Sequence, residues 1–586
     1  MAPTQRTHTA NVLVIGTGGA GLRAAIAAHR AGCDVTIVGK RSGNDAHTVL
    51  AAGGINAALG TVDPEDSWQQ HFADTWQDGY FLANPRTVEL LTREAPAAIL
   101  ELADWGCPFA RTPDGRLDQR FFGAHTYRRT CYAGDYTGRA LLATLLQQVR
   151  ALGIAIHERR YVSRLLVHEG VCFGALAFDL ATGERTVYEA DAVVLATGGF
   201  TRLWRRSSSR RDENTGDGIA LALQAGCAVA DMELVQFHPT GMVYPEELAG
   251  TLVTEAVRGE GGRLYNSLGE RFMARYDPER MELSTRDRVA LANYTEIVEG
   301  RGGPHGGVFL DISTRDKAYI LEKLPRMYRQ FMESQMLDIS RAPMEVAPTA
   351  HYTMGGVVIA EPATQATTVA GLYAVGEVTA GLHGANRLGG NSLAEIVVFG
   401  KRVGEAAAAY SRAGETQVRA RVAIRQAHDD LDGLLREGAA LARPLQRALR
   451  DTLWECCGVV RTEQRLQRGL ERIAALREEA ADVDVRPSAE GYQDLALALE
   501  LRASLVTAEA TLRGAIARRE SRGAHQRADY PVLDPALAVN FVVARDGGEA
   551  GPLTVTRSSI PPVPTELLSW ADAPAPDLPL TRRLLE

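Results

Sequence analysis

The feature that most constrains how this chain folds is a glycine-rich turn between a short apolar strand and an alanine-rich helix. Asn11-Val-Leu-Val-Ile15 is β-branched and apolar and reads as a buried parallel strand. Gly16-Thr-Gly-Gly-Ala-Gly21 follows directly, Leu22 to Arg30 reads as helix, and Asp34-Val-Thr-Ile-Val38 as a second strand. Alone, G-x-G-x-x-G is a weak signal. Between a strand and a helix it marks a dinucleotide site, because glycine lets the backbone approach a pyrophosphate and the helix N-terminus carries partial positive charge. Gly16, Gly18, Gly19, Ala20 and Gly21 are therefore candidate cofactor contacts. The acidic residue that would bind a ribose at the end of the second strand is missing. Gly39-Lys40 stands there, which disfavours generic NAD binding and makes Lys40 a candidate contact of a different kind.

Two further pieces have nucleotide-contact character. Ala192-Val-Val-Leu-Ala-Thr-Gly-Gly199 is a strand ending in a glycine turn, followed by Asn214-Thr-Gly-Asp-Gly218 at the start of a helix. Gly371-Leu-Tyr-Ala-Val-Gly-Glu377 is the second. They single out Thr197, Gly198, Asp217 and Glu377. In two-domain FAD-dependent flavoproteins such pieces converge on one extended dinucleotide. The expected fold is α/β: a Rossmann-like FAD-binding domain over residues 1–231 and 344–404, interrupted by an inserted α+β capping domain over 232–343. A C-terminal helical domain over 405–522 follows, where Ala439 to Trp454 and Thr462 to Ala481 place apolar residues at helical spacing. The region 523–586 is proline-rich and reads as a small appendage or partner contact, with Asn540-Phe-Val-Val-Ala544 strand-like.

At 586 residues the chain exceeds one compact domain. Its net charge of −8 lacks a basic footprint beyond Arg205-Arg206 and Arg210-Arg211, so nucleic-acid binding is not expected. The seven cysteines are scattered with no C-x-x-C pair, which gives no iron–sulfur or zinc pattern and reads as reduced core thiols. No metal site is expected. The segment from Met1 to Ala10 lacks an apolar core like that of a signal peptide, and no stretch of about 18 apolar residues is present to span a membrane.

Asn44-Asp-Ala-His-Thr-Val-Leu-Ala-Ala-Gly-Gly-Ile55 resembles the flavoprotein subunits of succinate dehydrogenase and fumarate reductase, which read His-Thr-x-x-x-x-Gly-Gly-Ile here. The resemblance covers nearly the whole chain. It continues through Gln236-Phe-His-Pro-Thr-Gly241, Leu252-Val-Thr-Glu-Ala-Val-Arg-Gly-Glu-Gly-Gly262, Ser284-Thr-Arg-Asp287, His351-Tyr-Thr-Met-Gly-Gly356 and His383-Gly-Ala-Asn-Arg-Leu-Gly-Gly-Asn-Ser-Leu393. It implies FAD bonded covalently to His47, with Thr48, Gly53, Gly54, Asn391, Ser392 and Leu393 against the flavin. A covalent bond there would raise the flavin potential, as it does in the family.

The substrate implied is succinate or fumarate, whose two charges a buried site must offset. Arg387 suits a bidentate grip on one carboxylate, with a hydrogen bond from His351. His238 and Thr254 would hold and twist the other, and Phe122 and Gly54 would wall the pocket. Arg286 is the acid/base that the resemblance assigns, with Glu255 and Arg258 relaying the proton. Glu255 and Arg258 are three apart and share a face if that segment is helical. His125, His305 and His525 read as ordinary hydrogen-bonded histidines, and Arg128 and Arg129 as solvated charges.

The chain departs from the family where Ala52 replaces a glutamine at the flavin edge. Phe309-Leu-Asp-Ile-Ser313, Leu453-Trp-Glu-Cys-Cys-Gly-Val-Val-Arg461 and Arg519-Glu-Ser-Arg-Gly-Ala-His525 look closer to L-aspartate oxidase, which is the alternative reading. His47 and Arg387-Leu-Gly-Gly-Asn-Ser392 favour the dehydrogenase/reductase side. A flavin-binding scaffold without turnover would lack Arg286 or Arg387, and both are present. Electrons would leave through a separate iron–sulfur subunit, then a membrane anchor, with this chain peripheral at the cytoplasmic face of the membrane.

Overall fold

The computed structural model describes residues 5–414, 417–488 and 491–572. Its central sheet has seven strands, built around Gln5–Ile15. Val35–Val38 and then Ala155–His157 lie parallel to it on one side, and Arg185–Leu195 on the other. Val171–Asp179 and Arg160–His168 continue the sheet antiparallel, and Leu372–Ala374 returns to pair with Arg185–Leu195. The first strand starts earlier than its apolar stretch predicts. Arg6 to Thr9 pair in register with Thr186 to Glu189 although their side chains are polar, because the ladder there is held by backbone hydrogen bonds.

The turn after this strand needs glycine for two different reasons. Gly16 has φ +126°, and a Cβ there would lie 2.1 Å from the Ala196 carbonyl oxygen. Gly21 lets the helix Gly19–Arg30 sit on the strand, since its Cβ would meet the Gly16 oxygen at 2.0 Å. The long helix Asn391–Arg412 packs along Gly19–Arg30 and closes this half of the core.

Val235–Met242, Met344–Thr353, Val308–Asp311 and Arg263–Tyr265 form a separate four-stranded antiparallel sheet in that order. The helix Arg286–Glu296 lies against its first strand. Because Met344–Thr353 hydrogen-bonds within this sheet, we propose that the capping segment returns to the flavin domain near Thr353 rather than at residue 343. Arg421–Asp432, Ala442–Cys456, Glu463–Ala480 and Gln493–Ala517 make the helical part, and Thr462 caps its third helix by accepting from Arg465 N–H at 3.3 Å.

The described part of the region after residue 523 contains two strands of seven residues each. Val539–Arg545 and Leu553–Ser559 form a hairpin, and the first of them pairs with Val229–Ala230. A fully buried Arg518 locks this junction. Its Nε donates to Glu233 at 2.6 Å, its Nη2 lies 3.1 Å from Asp231, and its Nη1 lies 3.1 Å from Glu520. Residues 573–586 lie outside the described part. Arg129 corrects another expectation: it is fully buried, paired with Asp66 at 2.8 Å and Asp74 at 2.6 Å, while Arg128 is exposed beside Asp63. All seven cysteines are buried and unpaired. Among the described residues no helix is long and apolar enough to cross a membrane, and no cluster of potential metal ligands occurs.

Removing one member of a buried ion network leaves its partners charged and unmatched, at a cost of about 3–5 kcal/mol. Arg518→Met should therefore lower the unfolding free energy by that order in a urea titration. It should do so without altering residues at the cavity described next.

Candidate active site

One cavity of about 1380 Å³ runs from the glycine turn to the capping sheet. Clefts for drug-sized ligands are typically ~300–1,000 Å³, so this one has room for an extended dinucleotide together with a small acid. Every site residue singled out from the sequence lines it except Gly21, Arg258 and Asn391. Gly21 serves the strand–helix packing instead. Arg258 stands one layer back, and the Asn391 side chain is occupied by His71 at 2.9 Å, Asn56 at 2.7 Å and Thr75 at 2.9 Å.

The cofactor end is built from the first helix N-terminus and the pieces that converge on it. Thr48 Oγ1 accepts the Gly19 N–H at 3.0 Å, tying the His47–Leu50 turn to the glycine loop. Thr197 Oγ1 is buried and, among the described residues, has no hydrogen-bond partner, a hydroxyl left for a ligand. Glu377 accepts from Thr353 N–H at 3.1 Å and from Asn214 at 3.2 Å. Lys40 does not stand free. Its Nζ contacts Asp217 at 2.7 Å, Glu500 at 3.0 Å and Thr215 at 3.3 Å. Gly53 and Gly54 pass tightly between Phe122 and Thr130-Cys131. The glycine loop, the open helix end and the orphaned hydroxyl fit a dinucleotide such as FAD.

At the other end, Arg286 opens its helix and reaches Glu255, with Nε at 2.7 Å and Nη2 at 2.6 Å from Oε2. The other oxygen of Glu255 accepts the Gly123 N–H at 3.0 Å and lies 3.7 Å from Arg258 Nη2. Burial pushes the Glu255 carboxyl up, but Arg286 and Arg258 outweigh it and hold the group at about 2. Burial pulls Arg258 below the usual guanidinium value; it donates to the Glu282 carbonyl at 2.5 Å, and among the described residues its Nε and Nη2 have no hydrogen-bond partner.

Arg387 is 3% exposed and, among the described residues, forms no ion pair. It donates to Gln236 Oε1 at 3.1 Å and Ser392 at 3.2 Å, lies 4.4 Å over the Tyr352 ring, and leaves Nε unpartnered. Burial, then the charge of Arg286, lowers it to about 9. His238 and His351 meet edge to face at 5.1 Å. Both are pushed well below the ordinary histidine value, first by burial and then by charge: Arg286 for His238, and His238 itself for His351. Both rings are therefore neutral at pH 7. Thr240 N–H donates to His238 Nδ1 and Ser208 meets His351 Nδ1, so the Nε2 sides are free to face the cavity. Thr254 Oγ1 accepts the Ala256 N–H at 3.3 Å, which starts the short helix Ala256–Gly259.

Sequence reasoning passed over Gln236, although it opens a quoted motif. Its Oε1 accepts from Arg286 at 3.2 Å and from Arg387, and its Nε2 donates to Asn386 at 2.8 Å. It also passed over Glu213, which sits immediately before Asn214-Thr-Gly and binds His47 Nδ1 at 3.1 Å. His125 and His525 are the buried, hydrogen-bonded histidines expected, on the Gly389 carbonyl and on Arg461. His305 rests on Glu345 at the surface.

Known proteins match this arrangement. The family described as FAD binding domain matches residues 11–393, and that described as fumarate reductase flavoprotein C-term matches residues 446–563. One subunit of the fumarate reductase (CoM/CoB) of Methanothermobacter marburgensis is 44% identical over 92% of this chain and 97% of its own length. The succinate dehydrogenase flavoprotein subunit of Rickettsia bellii is 38% identical over 89% of this chain and 91% of its own. A variant of E. coli quinol fumarate reductase superposes with a TM-score of 0.89 at 34% identity, covering 95% of this chain and 97% of the other. The chain belongs to the succinate dehydrogenase/fumarate reductase flavoprotein family. It is an FAD-dependent oxidoreductase of that family.

Glu255 is depressed in the fold, so its contribution to stability is present above the ordinary value of 4.5 and is lost as pH falls toward about 2. The difference corresponds to roughly 3 kcal/mol at most. Comparing the wild type with Glu255→Gln in denaturant titrations from pH 6 to pH 3 should show the wild-type advantage shrinking as the solution is acidified.

Proposed function

We propose that the chain interconverts succinate and fumarate, with FAD bonded to His47, and passes electrons to an iron–sulfur subunit. The observation that carries this reading is Arg387: a buried guanidinium without an ion pair, joined through one amide to the Arg286–Glu255 pair in the same cavity wall. An unmatched buried cation calls for an anionic ligand. The bound flavin would supply the two-electron step, accepting hydride from the substrate carbon or returning it.

The other roles belong to the protein. Arg387 and His351 hold one substrate carboxylate, and His238 and Thr254 hold the other. As neutral rings, the histidines donate hydrogen bonds without adding charge. Phe122, 1% exposed, and Gly54 keep water from the reacting carbons. Arg286 moves the proton at the second carbon. An arginine is a poor free base, but Glu255 bonds it directly and Arg258 backs Glu255, so a proton has a path between the cavity and the layer behind it. Gly390, Ser392 and Leu393 at the start of the helix Asn391–Arg412 line the cavity, where its N-terminal amides favour the negative charge of a reduced flavin. Gly16, Gly18, Gly19, Ala20, Thr48, Gly53, Thr197, Gly198, Asp217, Glu377 and, through Asp217, Lys40 hold the rest of the cofactor.

The chain's lack of a cluster-binding cysteine pattern supports electron exit through a partner. Its relatives are described as subunits, and one as a quinol enzyme. This supports a peripheral subunit beneath a membrane anchor, on the cytoplasmic face.

Anaerobic addition of succinate should bleach the flavin absorbance, and L-aspartate should not. Bleaching by L-aspartate would move the chain to the aspartate oxidase reading. Arg286→Ala should cut kcat by about 10²–10⁴ in a succinate–dye assay, with flavin content unchanged.

A further inference from the structure

Glu213 is a buried carboxylate that no part of the reaction above uses. It lies at the cofactor end of the cavity, against the one side chain read as the flavin attachment point. Its Oε2 takes His47 Nδ1 at 3.1 Å, and Arg210 fixes the carboxylate from the other side, with Nε at 3.0 Å from Oε2 and Nη2 at 2.5 Å from Oε1. Arg41 Nε stands 3.5 Å from Oε1, and Asp45 ties Arg41 and Arg210 together. Glu213 is 4% exposed, so this is a rigid mount and not a surface pair. His47 itself lines the cavity, and among the described residues its Nε2 has no hydrogen-bond partner.

We propose that Glu213 is a positioning residue for His47. By accepting a hydrogen bond from Nδ1–H, it fixes the imidazole in the tautomer and orientation that present a bare Nε2 lone pair to the flavin. This rests on the reading that His47 carries the cofactor. In that reaction the Nε2 lone pair forms a bond to the methyl carbon of the flavin ring. That carbon loses one proton, and the C–H electron pair stays on the ring system, which takes up a proton and ends two electrons reduced. The dicarboxylate acceptor, fumarate, then reoxidises it. The imidazole becomes a cation with its proton still on Nδ1, and the carboxylate already seated there stabilises it by a charge-assisted hydrogen bond.

The charge balance around the ring favours the imidazole cation that bonding leaves. Burial opposes the protonated form of His47, but the hydrogen bond and charge of Glu213 outweigh it; Glu377 adds to them and Arg210 opposes. Burial raises Glu213, and His47 and Arg210 together hold it at about 2. The carboxylate is thus ionised throughout the working pH range. A carboxamide at this position could donate to Nδ1 as easily as accept from it, which would move the ring proton to Nε2 and remove the nucleophile.

The experiment uses the full chain loaded with FAD, as wild type, Glu213→Gln and Glu213→Ala. Flavin fluorescence of the denatured chain reads the bonded fraction, and non-denaturing absorbance reads total FAD. The ¹⁵N shifts of His47, assigned by difference from His47→Gln, read the tautomer. The expected result is a bonded fraction at least tenfold lower in both variants, at similar total FAD, with the His47 proton leaving Nδ1 and its titration midpoint falling. If Glu213 is only a partner for Arg210, the variants will melt earlier while the bonded fraction and the His47 tautomer stay as in wild type, and the proposal is overturned. If the wild-type chain releases all its flavin on denaturation, the attachment reading fails instead. The ¹⁵N shifts then still decide whether Glu213 holds Nδ1–H.

Discussion

The contact on which the site depends is the buried pair of Arg286 and Glu255, with Gln236 set across it. Three separate pieces of chain meet there: the strand Val235–Met242, the residue before Ala256–Gly259, and the first residue of Arg286–Glu296. Burying two charges costs several kcal/mol per ion unless geometry and extra hydrogen bonds offset it. Here Glu255 receives two N–H groups of Arg286 and one backbone N–H from Gly123, and Gln236 takes a further guanidinium donor. The same Gln236 oxygen accepts from Arg387. One amide therefore sets the spacing between Arg286 and Arg387. The Gly123 contact brings in the Phe122 wall as well.

The electrostatics of the two ends differ in kind. Burial, and then the positive balance around Arg286 and Arg387, drives both histidines neutral and lowers Arg387. At the other end, Lys40 and His47 are matched by Asp217, Glu500 and Glu213. The unmatched charge in the cavity is thus concentrated where the small acid would lie. A neutral substrate of the same shape would leave Arg387 with an unpartnered N–H and gain nothing from it.

The sequence exposes those parts of this arrangement that are local. The glycine turn declares itself because strand, turn and helix are contiguous, and Arg387, His238 and His351 each sit inside a recognisable string of residues. The start of Asn391–Arg412 is legible for the same reason. Relations across the chain are not. Arg129 looks like one of two surface charges because its partners, Asp66 and Asp74, are some sixty residues upstream and carry no signal of burial. The tail strand Val539–Arg545 is readable as a strand, but its pairing with Val229–Ala230 is set by tertiary packing. Glu213 is hidden in an arginine-rich stretch whose charges look solvated until Asp45 and His47 are placed against them.

Lys40 shows how a departure from a motif is absorbed. A nicotinamide-binding fold ends its second strand in a carboxylate that holds the ribose directly. Here a cation occupies that point and carboxylates come to it from elsewhere, Asp217 from the start of one helix and Glu500 from the middle of another. Tyr161 also donates to Asp217 at 3.0 Å, so that carboxylate is oriented from two sides. Glu500 belongs to the helix Gln493–Ala517, whose Ser504 also bonds the Thr215 carbonyl at 3.0 Å. The Lys40 end of the cavity is therefore completed by the helical region. The same lysine ties that region to this end of the cavity, because an unpaired Glu500 in this setting would be a buried charge without a partner.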